Sequence, residues 1–176
     1  MARIPYPDID LPEYKPMADR VRKERAGWVG NIHKLIMYSP QVFDGYMHFL
    51  TAIRQQAVLD GRYRELAIMM VAAINDADYE FNAHAPFALK SGVTQSQIDA
   101  LRRCERAADL APADRAVIDY TEASTRLVRV PDDIFNAVKK HFDERQIIEL
   151  TLTIGCYNMV SRFLEAMHVD HDYPTK

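Results

Sequence analysis

Glu65, Glu80 and His84 are the residues whose types and spacing best suit proton-transfer chemistry. Glu80 and His84 lie four residues apart, so on a helix they share one face and the carboxylate can orient or charge the imidazole. Glu65 stands at the head of a long apolar run, where burial disfavours the charged form of a carboxylate and suits it to carrying protons. The three residues form the candidate catalytic set.

Each member of this set also has a purely structural interpretation. Glu65 could satisfy amide groups at a helix N-terminus or pair with Arg62 or Arg64. Glu80 and His84 could form an exposed ion pair, which contributes little to stability. The catalytic interpretation therefore requires a tight turn that brings Glu65 beside the other two residues.

Helices must position these residues, because apolar positions recur at helical spacing through most of the chain. The run from Leu66 to Ile74 is apolar on every side, which predicts a buried helix. Pro86 is expected to kink the following helix or open a turn close to His84. The start and stop signals predict helices over 17–25, 40–57, 62–74, 77–91, 95–104, 112–128, 131–141 and 143–167. The fold class is all-α.

Composition excludes several classes of protein. The chain has 176 residues, 48% of them hydrophobic, and a formal net charge of -3 with acidic and basic residues mixed. It therefore lacks the clustered cations of nucleic-acid and membrane-surface proteins, and no apolar run reaches the roughly 20 residues that span a bilayer. The start, MARIPYPDID, lacks the pattern of a signal peptide, and Cys104 and Cys156 form no CxxC motif. A cytoplasmic location with reduced thiols is expected.

Proline content suggests a division of the chain. Residues 1–30 form a proline-rich arm followed by a short helix, and residues 31–176 form the helical domain. Trp28, between two glycines at the end of the first segment, is either a pocket residue or a core anchor beside a turn. The middle of the last helix, 147–160, is again nearly all apolar. Two such helices are hard to cover within one chain, which predicts a homo-oligomer.

Four stretches of the sequence carry a family resemblance. RELAIMMVAAINDADYEFNAH and the following APFALKSGVTQSQIDAL resemble the core of the carboxymuconolactone decarboxylase and alkylhydroperoxidase-D-like superfamily. YTEASTRLVRVPDDIF and ELTLTIGCYNMVSRFLEAM resemble the C-terminal half of its longer, decarboxylase-like members. The likeness covers about residues 31–170. It implies a helical-hairpin core and an obligate oligomer, a trimer or hexamer and alternatively a dimer.

The peroxidase branch of that superfamily carries the pattern E-x11-C-x2-C-x3-H. Glu65 and His84 occupy its first and last positions, but its cysteine positions fall on Ala77 and Glu80. A dithiol peroxidase needs two thiols that form a disulfide, which these residues cannot do. The chain therefore resembles the decarboxylase-like branch, which lacks the CxxC motif.

The resemblance implies a cofactor-independent lyase or isomerase of aromatic-compound catabolism, acting without metal on a small unsaturated lactone or organic acid. His84 would be the acid and base, Glu80 its orienting partner and Glu65 the relay or second acid. Arg162 and Asn158 would bind the substrate carboxylate, together with Trp28 as a further substrate-binding residue. Two alternatives stay open: an alkylhydroperoxidase-like thiol antioxidant enzyme, which the missing CxxC disfavours, and a non-catalytic oligomer that binds a small ligand.

Overall fold

The computed structural model describes residues 1–172. The predicted all-α class is confirmed, since no strand occurs among these residues. The helices are α1 (Lys15–Glu24), α2 (Asn31–Ile36), α3 (Pro40–Thr51), α4 (Gly61–Ile74), α5 (Asp78–Lys90), α6 (Gln95–Arg102), α7 (Pro112–Leu127), α8 (Asp132–Lys139) and α9 (Glu144–Met167), with a π-helical turn at Ala52–Gln56 after α3. Over this described part, no helix combines the length and apolarity needed to cross a membrane.

The chain divides into two compact units. Among the described residues, the first comprises 1–56 and 164–172, and the second comprises 57–163. Within the first unit the N-terminal arm lies against the end of the same chain: Tyr6 donates a hydrogen bond to Asp170 at 3.0 Å, and the terminal amine of Met1 pairs with the same carboxylate at 2.9 Å. The predicted division after residue 30 does not coincide with these units and stays a prediction about domains.

The second unit is built around α4, which contacts α5, α6 and α7. The seven residues from Leu66 to Ala72 have no solvent exposure, so the prediction of a helix buried on all sides is confirmed. Asp60 begins this helix by accepting a hydrogen bond from the backbone N–H of Arg62 at 2.8 Å. A rigid central helix is therefore available to hold side chains of the site.

The helix predicted over 77–91 is present as α5 with Pro86 inside it, and a kink at that residue stays a prediction. One expectation needs correction, because the short helix α2 falls where no helix was predicted. The middle of α9 is buried on one side only, because Ile148, Leu152 and Met159 are 59%, 47% and 46% exposed. These three share a face at spacings of four and seven residues, and the described residues leave that face uncovered.

Candidate active site

The turn between α4 and α5 brings the predicted catalytic residues together. The backbone N–H of Ala77 donates to the carbonyl of Ala72 at 2.9 Å, and Asp76 adopts a positive φ of 53°. This connection lets α5 run back along α4, so that Glu65, near the start of α4, reaches His84, in the second half of α5. The tight turn that the catalytic interpretation required is present.

His84 lies between the two glutamates. Its Nδ1 is 2.7 Å from Oε2 of Glu65, in a hydrogen bond between helices, and its Nε2 is 3.0 Å from Oε1 of Glu80. The side chains of His84, Glu65 and Glu80 are only 3%, 4% and 7% exposed. Both imidazole nitrogens therefore face a carboxylate in a nearly dry environment, where charge–charge interactions are strong.

Opposing effects determine the pKa of His84. Burial lowers the pKa of this imidazole, because it penalises the charged form. The nearby charge of Glu65, together with hydrogen bonds to Glu65 and Glu80, outweighs burial and raises the pKa of His84 above its ordinary value. The imidazole can therefore hold a proton near neutral pH, as a proton-transfer site requires.

Two aromatic rings lie close to the imidazole of His84. The ring of Tyr157, on α9, meets it edge-on with centroids 5.1 Å apart and planes at 87°. The ring of Phe87, one turn further along α5, lies 5.7 Å away. The sequence interpretation missed both rings. Phe87 stands three residues after His84 on the same helix face, and this spacing could have predicted their contact. No local pattern in the sequence links Tyr157 to His84.

Comparisons with known proteins support the resemblance found in the sequence. The model of the carboxymuconolactone decarboxylase family matches residues 40–123, which include all three catalytic candidates. The crystal structure of a peroxidase-related protein from Silicibacter sp. TM1040 aligns over 97% of this chain and 91% of its own, with a TM-score of 0.81 and 18% identity. Over residues 40–123 the chain is therefore similar to the carboxymuconolactone decarboxylase family.

Two further proteins are similar to the chain. YdfG of Bacillus subtilis (strain 168), an uncharacterised protein, is 29% identical over 115 residues, covering 64% of this chain and 78% of YdfG. The debrominase Bmp8, solved in complex with 2,3,4-tribromopyrrole, shares the fold with a TM-score of 0.79 at 14% identity, over 98% of this chain and 95% of its own. At such identities the likeness to solved structures concerns the fold alone.

The thiol positions of the superfamily's peroxidase motif are occupied by other residues in this chain. Ala77 lies at the N-terminal end of α5, and Glu80 points its carboxylate at His84. Cys156 is buried in α9, and Cys104 follows α6 with a positive φ of 56°. Neither cysteine is part of a disulfide among the described residues.

Arg162 and Asn158, the predicted substrate-binding residues, form a separate cluster. Arg162 donates from one nitrogen to the backbone oxygen and to Oδ1 of Asn158, at 3.0 and 2.7 Å. The amide of Asn158 donates in turn to Thr125 at 3.1 Å, and Asn75 donates to Asn158 at 3.0 Å. These hydrogen bonds do not extend to the glutamates or to His84. A substrate-binding role for Arg162 and Asn158 stays a prediction.

Two further predictions concern Trp28 and the absence of a metal or cofactor. Trp28 is half-buried in the first compact unit, and its substrate-binding role is untested. Within residues 1–172, no group of three or more histidine, cysteine or acidic side chains has a geometry that could hold a metal ion. We predicted that the reaction proceeds without a metal or cofactor, and this stays a prediction.

A small, partly open depression of about 40 Å³ lies at the turn end of the α4–α5 pair. Ala77, just before α5, and Phe81 of α5 line it beside Arg102, whose guanidinium lies 3.9 Å over the ring of Phe81. Ala77 precedes Glu80 by one helical turn. The guanidinium of Arg102 is already engaged by Asp78 and Asn82, so it is not a free cation for a ligand.

Proposed function

We propose that this chain is a cofactor-independent lyase or isomerase that acts on a small unsaturated lactone or organic acid through histidine and glutamate acid–base chemistry. The observation that carries the proposal is the buried Glu65–His84–Glu80 set, in which one imidazole contacts two carboxylates. The similarity of residues 40–123 to the carboxymuconolactone decarboxylase family supports the reaction class, as does the absence of thiols at the peroxidase positions.

The proposed reaction needs protons rather than electrons from the protein. In a decarboxylation the bond between the carboxylate carbon and the ring carbon breaks, carbon dioxide leaves, and the bonding electron pair passes into the adjacent enol ester. A proton from the glutamate–histidine set then adds to carbon, and solvent restores that proton. In an isomerisation the same set removes a proton from one carbon and returns it to another. A positioned acid–base group contributes about 10²- to 10⁴-fold to such a step.

The test is turnover of small unsaturated lactone carboxylic acids by the purified protein. Carbon dioxide release and deuterium incorporation at carbon in D₂O, followed by NMR, distinguish decarboxylation from isomerisation. We expect His84→Gln to lower kcat/KM by about 100-fold or more while circular dichroism is unchanged. His48→Ala is the matched control, because His48 is 71% exposed and lies in the other compact unit. Full activity in His84→Gln on a converted substrate would refute the proposal.

Burial favours a second candidate function, a non-catalytic oligomer that binds a small ligand. A His84 side chain only 3% exposed is also what a structural core residue would show. Binding of the same lactone acids without their conversion, with an affinity unchanged in His84→Gln, would support that alternative. Conversion by the wild-type protein would exclude it.

A further inference from the structure

The acid–base set is closed to solvent in this structure. The side chains of His84, Glu65 and Glu80 are 3%, 4% and 7% exposed, and none of the three lines the depression at the α4–α5 turn. A substrate that exchanges a proton with the set must come within hydrogen-bond distance of it. The proposed function therefore requires an opening, and one of the side chains around the imidazole must move to make it.

Phe87 differs from the other side chains that the structure describes around the imidazole of His84. Glu65 and Glu80 are buried, and Tyr157 is only 1% exposed. Phe87, by contrast, is 47% exposed. Its ring centroid lies 5.7 Å from that of the imidazole, with the two planes tilted by 48°. One part of the Phe87 ring thus lies against the imidazole and another part meets solvent, so this ring is a layer one side chain thick between them.

The other neighbours of the imidazole are harder to move. Glu65 stands at the head of the fully buried run of α4, and displacement of Tyr157 would leave a cavity in the core. On a helix an aromatic side chain has two common χ1 rotamers, and exposed side chains exchange between rotamers within picoseconds to nanoseconds. Such an exchange would carry the Phe87 ring away from His84 without disturbing the core.

Pro86 makes this turn of α5 easier to deform. It stands inside the helix, directly before Phe87. Proline has no backbone N–H, so the carbonyl of Asn82, four residues earlier, loses its usual intrahelical donor. A helical turn with one hydrogen bond fewer bends more easily. The ring that covers His84 is therefore attached to a weakened part of its helix.

We propose that Phe87 is the gate of the acid–base set: its ring moves out to admit the substrate, and the space that it leaves selects a flat, monocyclic unsaturated ring. The inference rests on the proposed function and deepens it, because it names the route and the shape of the substrate. The vacated space has the size of one phenyl ring, between the imidazole and solvent. A planar lactone ring can occupy it while its charged carboxylate stays in water, whereas a fused or heavily branched ring cannot.

Hydrogen–deuterium exchange at the carbon between the two ring nitrogens of His84 tests the gate without a substrate, because solvent must reach the imidazole. Mass spectrometry of the peptide that contains His84, over a range of pH, gives a profile of exchange rates. Its midpoint reports the pKa of the imidazole, and its plateau reports solvent access. An open state of a closed site is typically populated at about 0.1–10%, so we expect Phe87→Ala, which removes the ring, to raise the plateau by about tenfold or more.

Leu89→Ala is the matched control, and its plateau should equal that of the wild-type protein. Leu89 is also 47% exposed on α5, but it stands five residues after His84 and so occupies another face of the helix. Phe87→Trp enlarges the cover and should lower the plateau, which decides the question if Phe87→Ala does not fold. An unchanged plateau in the Phe87 variants, or an equal rise in Leu89→Ala, would overturn the inference. A smaller mass of Phe87→Ala by light scattering would overturn it as well, because a second copy of the chain would then cover Phe87.

Turnover separates this inference from the proposed function. On lactone acids that the wild-type protein converts, Phe87→Ala should raise kcat/KM for a ring-substituted substrate, relative to the unsubstituted one, by about tenfold or more, as one methylene group can in an apolar site. Leu89→Ala should leave this ratio unchanged. If the ratio is also unchanged in Phe87→Ala, the inference fails and the acid–base function stands. If the wild-type protein converts no lactone acid, the proposed function fails, and the exchange experiment still decides whether Phe87 controls access to His84.

Discussion

His84 keeps its proton inside the protein because two carboxylates face it and little water reaches it. Burial alone would make this imidazole neutral, as it does for His33, whose pKa burial lowers to about 3. The difference lies in the partners: Arg25 and Arg54 lie near His33, whereas Glu65 and Glu80 face His84. The pKa of a buried histidine can thus be lowered or raised, depending on the sign of the neighbouring charges.

The raised pKa of His84 predicts a pH-dependent contribution to stability. The folded state binds this proton more tightly than the unfolded state, so the contribution is complete below the unfolded pKa of about 6.5 and is lost as the pH rises through the folded pKa. The loss is about 1.4 kcal/mol for each unit between the two pKa values.

Urea unfolding of the wild-type protein and His84→Gln, at about pH 6 and about pH 9, measures this effect. The difference in free energy of unfolding between the two proteins should shrink at the higher pH. His33 is common to both proteins, so its own titration cancels in the comparison. A difference that is independent of pH would show that folding does not shift the pKa of His84.

The cysteines are expected to be dispensable for turnover. Neither occupies a thiol position of the peroxidase motif, and Cys156 is buried, so we expect the double variant Cys104→Ser, Cys156→Ala to convert substrate at the wild-type rate. Steady-state kinetics on a converted lactone acid checks this, together with a peroxide-reduction assay. Loss of activity with retained helicity would favour the thiol antioxidant alternative.

Among the helices, α4 and α5 do most to position the site. Glu65 and His84 are 19 residues apart in sequence and are joined by a hydrogen bond, because the turn at Asn75–Ala77 reverses the chain. Seven fully buried residues hold α4 in place, so Glu65 cannot withdraw from His84 without disturbing the core. The packing of α4 thus fixes the geometry of the acid–base set.

The caps of these helices give a prediction with an internal control. Asp60 accepts a hydrogen bond from an amide at the start of α4, whereas the side chain of Ser39, the N-cap residue of α3, makes no such bond. We expect Asp60→Ala to lower the free energy of unfolding by about 1 kcal/mol, and Ser39→Ala to lower it much less. Urea titrations of the two variants measure both values. Equal losses would show that the cap bond does not stabilise α4.

Over the chain as a whole, the exposed face of α9 supports the predicted homo-oligomer. Ile148, Leu152 and Met159 place apolar side chains on one side of a 24-residue helix. Exposure of such an apolar face to water is energetically unfavourable. In the predicted homo-oligomer, a second copy of the chain covers it. We expect the double variant Leu152→Glu, Met159→Glu to have a smaller mass by light scattering than the wild-type protein.

The control for this experiment is Val128→Glu. Val128 is 86% exposed just after α7, away from the α9 stripe in sequence, and the substitution should leave the mass unchanged. A wild-type protein that is monomeric at micromolar concentration would contradict the predicted assembly.

Local patterns in the sequence predicted much of the helical architecture. The buried run of α4 was predicted from residues close together in the chain, and the structure confirms it. The structure also shows capping boxes at Thr94 and Asp143, which likewise depend on residues only three positions apart. The end of α3 was less predictable: a π-helical turn replaces its last α-helical residues.

For the site, the sequence by itself determined the residue types and the i,i+4 spacing of Glu80 and His84, because helix periodicity is a local property. Only the tertiary structure decided that Glu65 meets Nδ1, that Glu80 meets Nε2 and that Tyr157 packs on the ring, because these contacts depend on how distant helices pack. It also decided that Arg162 is hydrogen-bonded to Asn158. Spacing along a chain sets which face a side chain occupies, whereas the partner across that face is set by the fold.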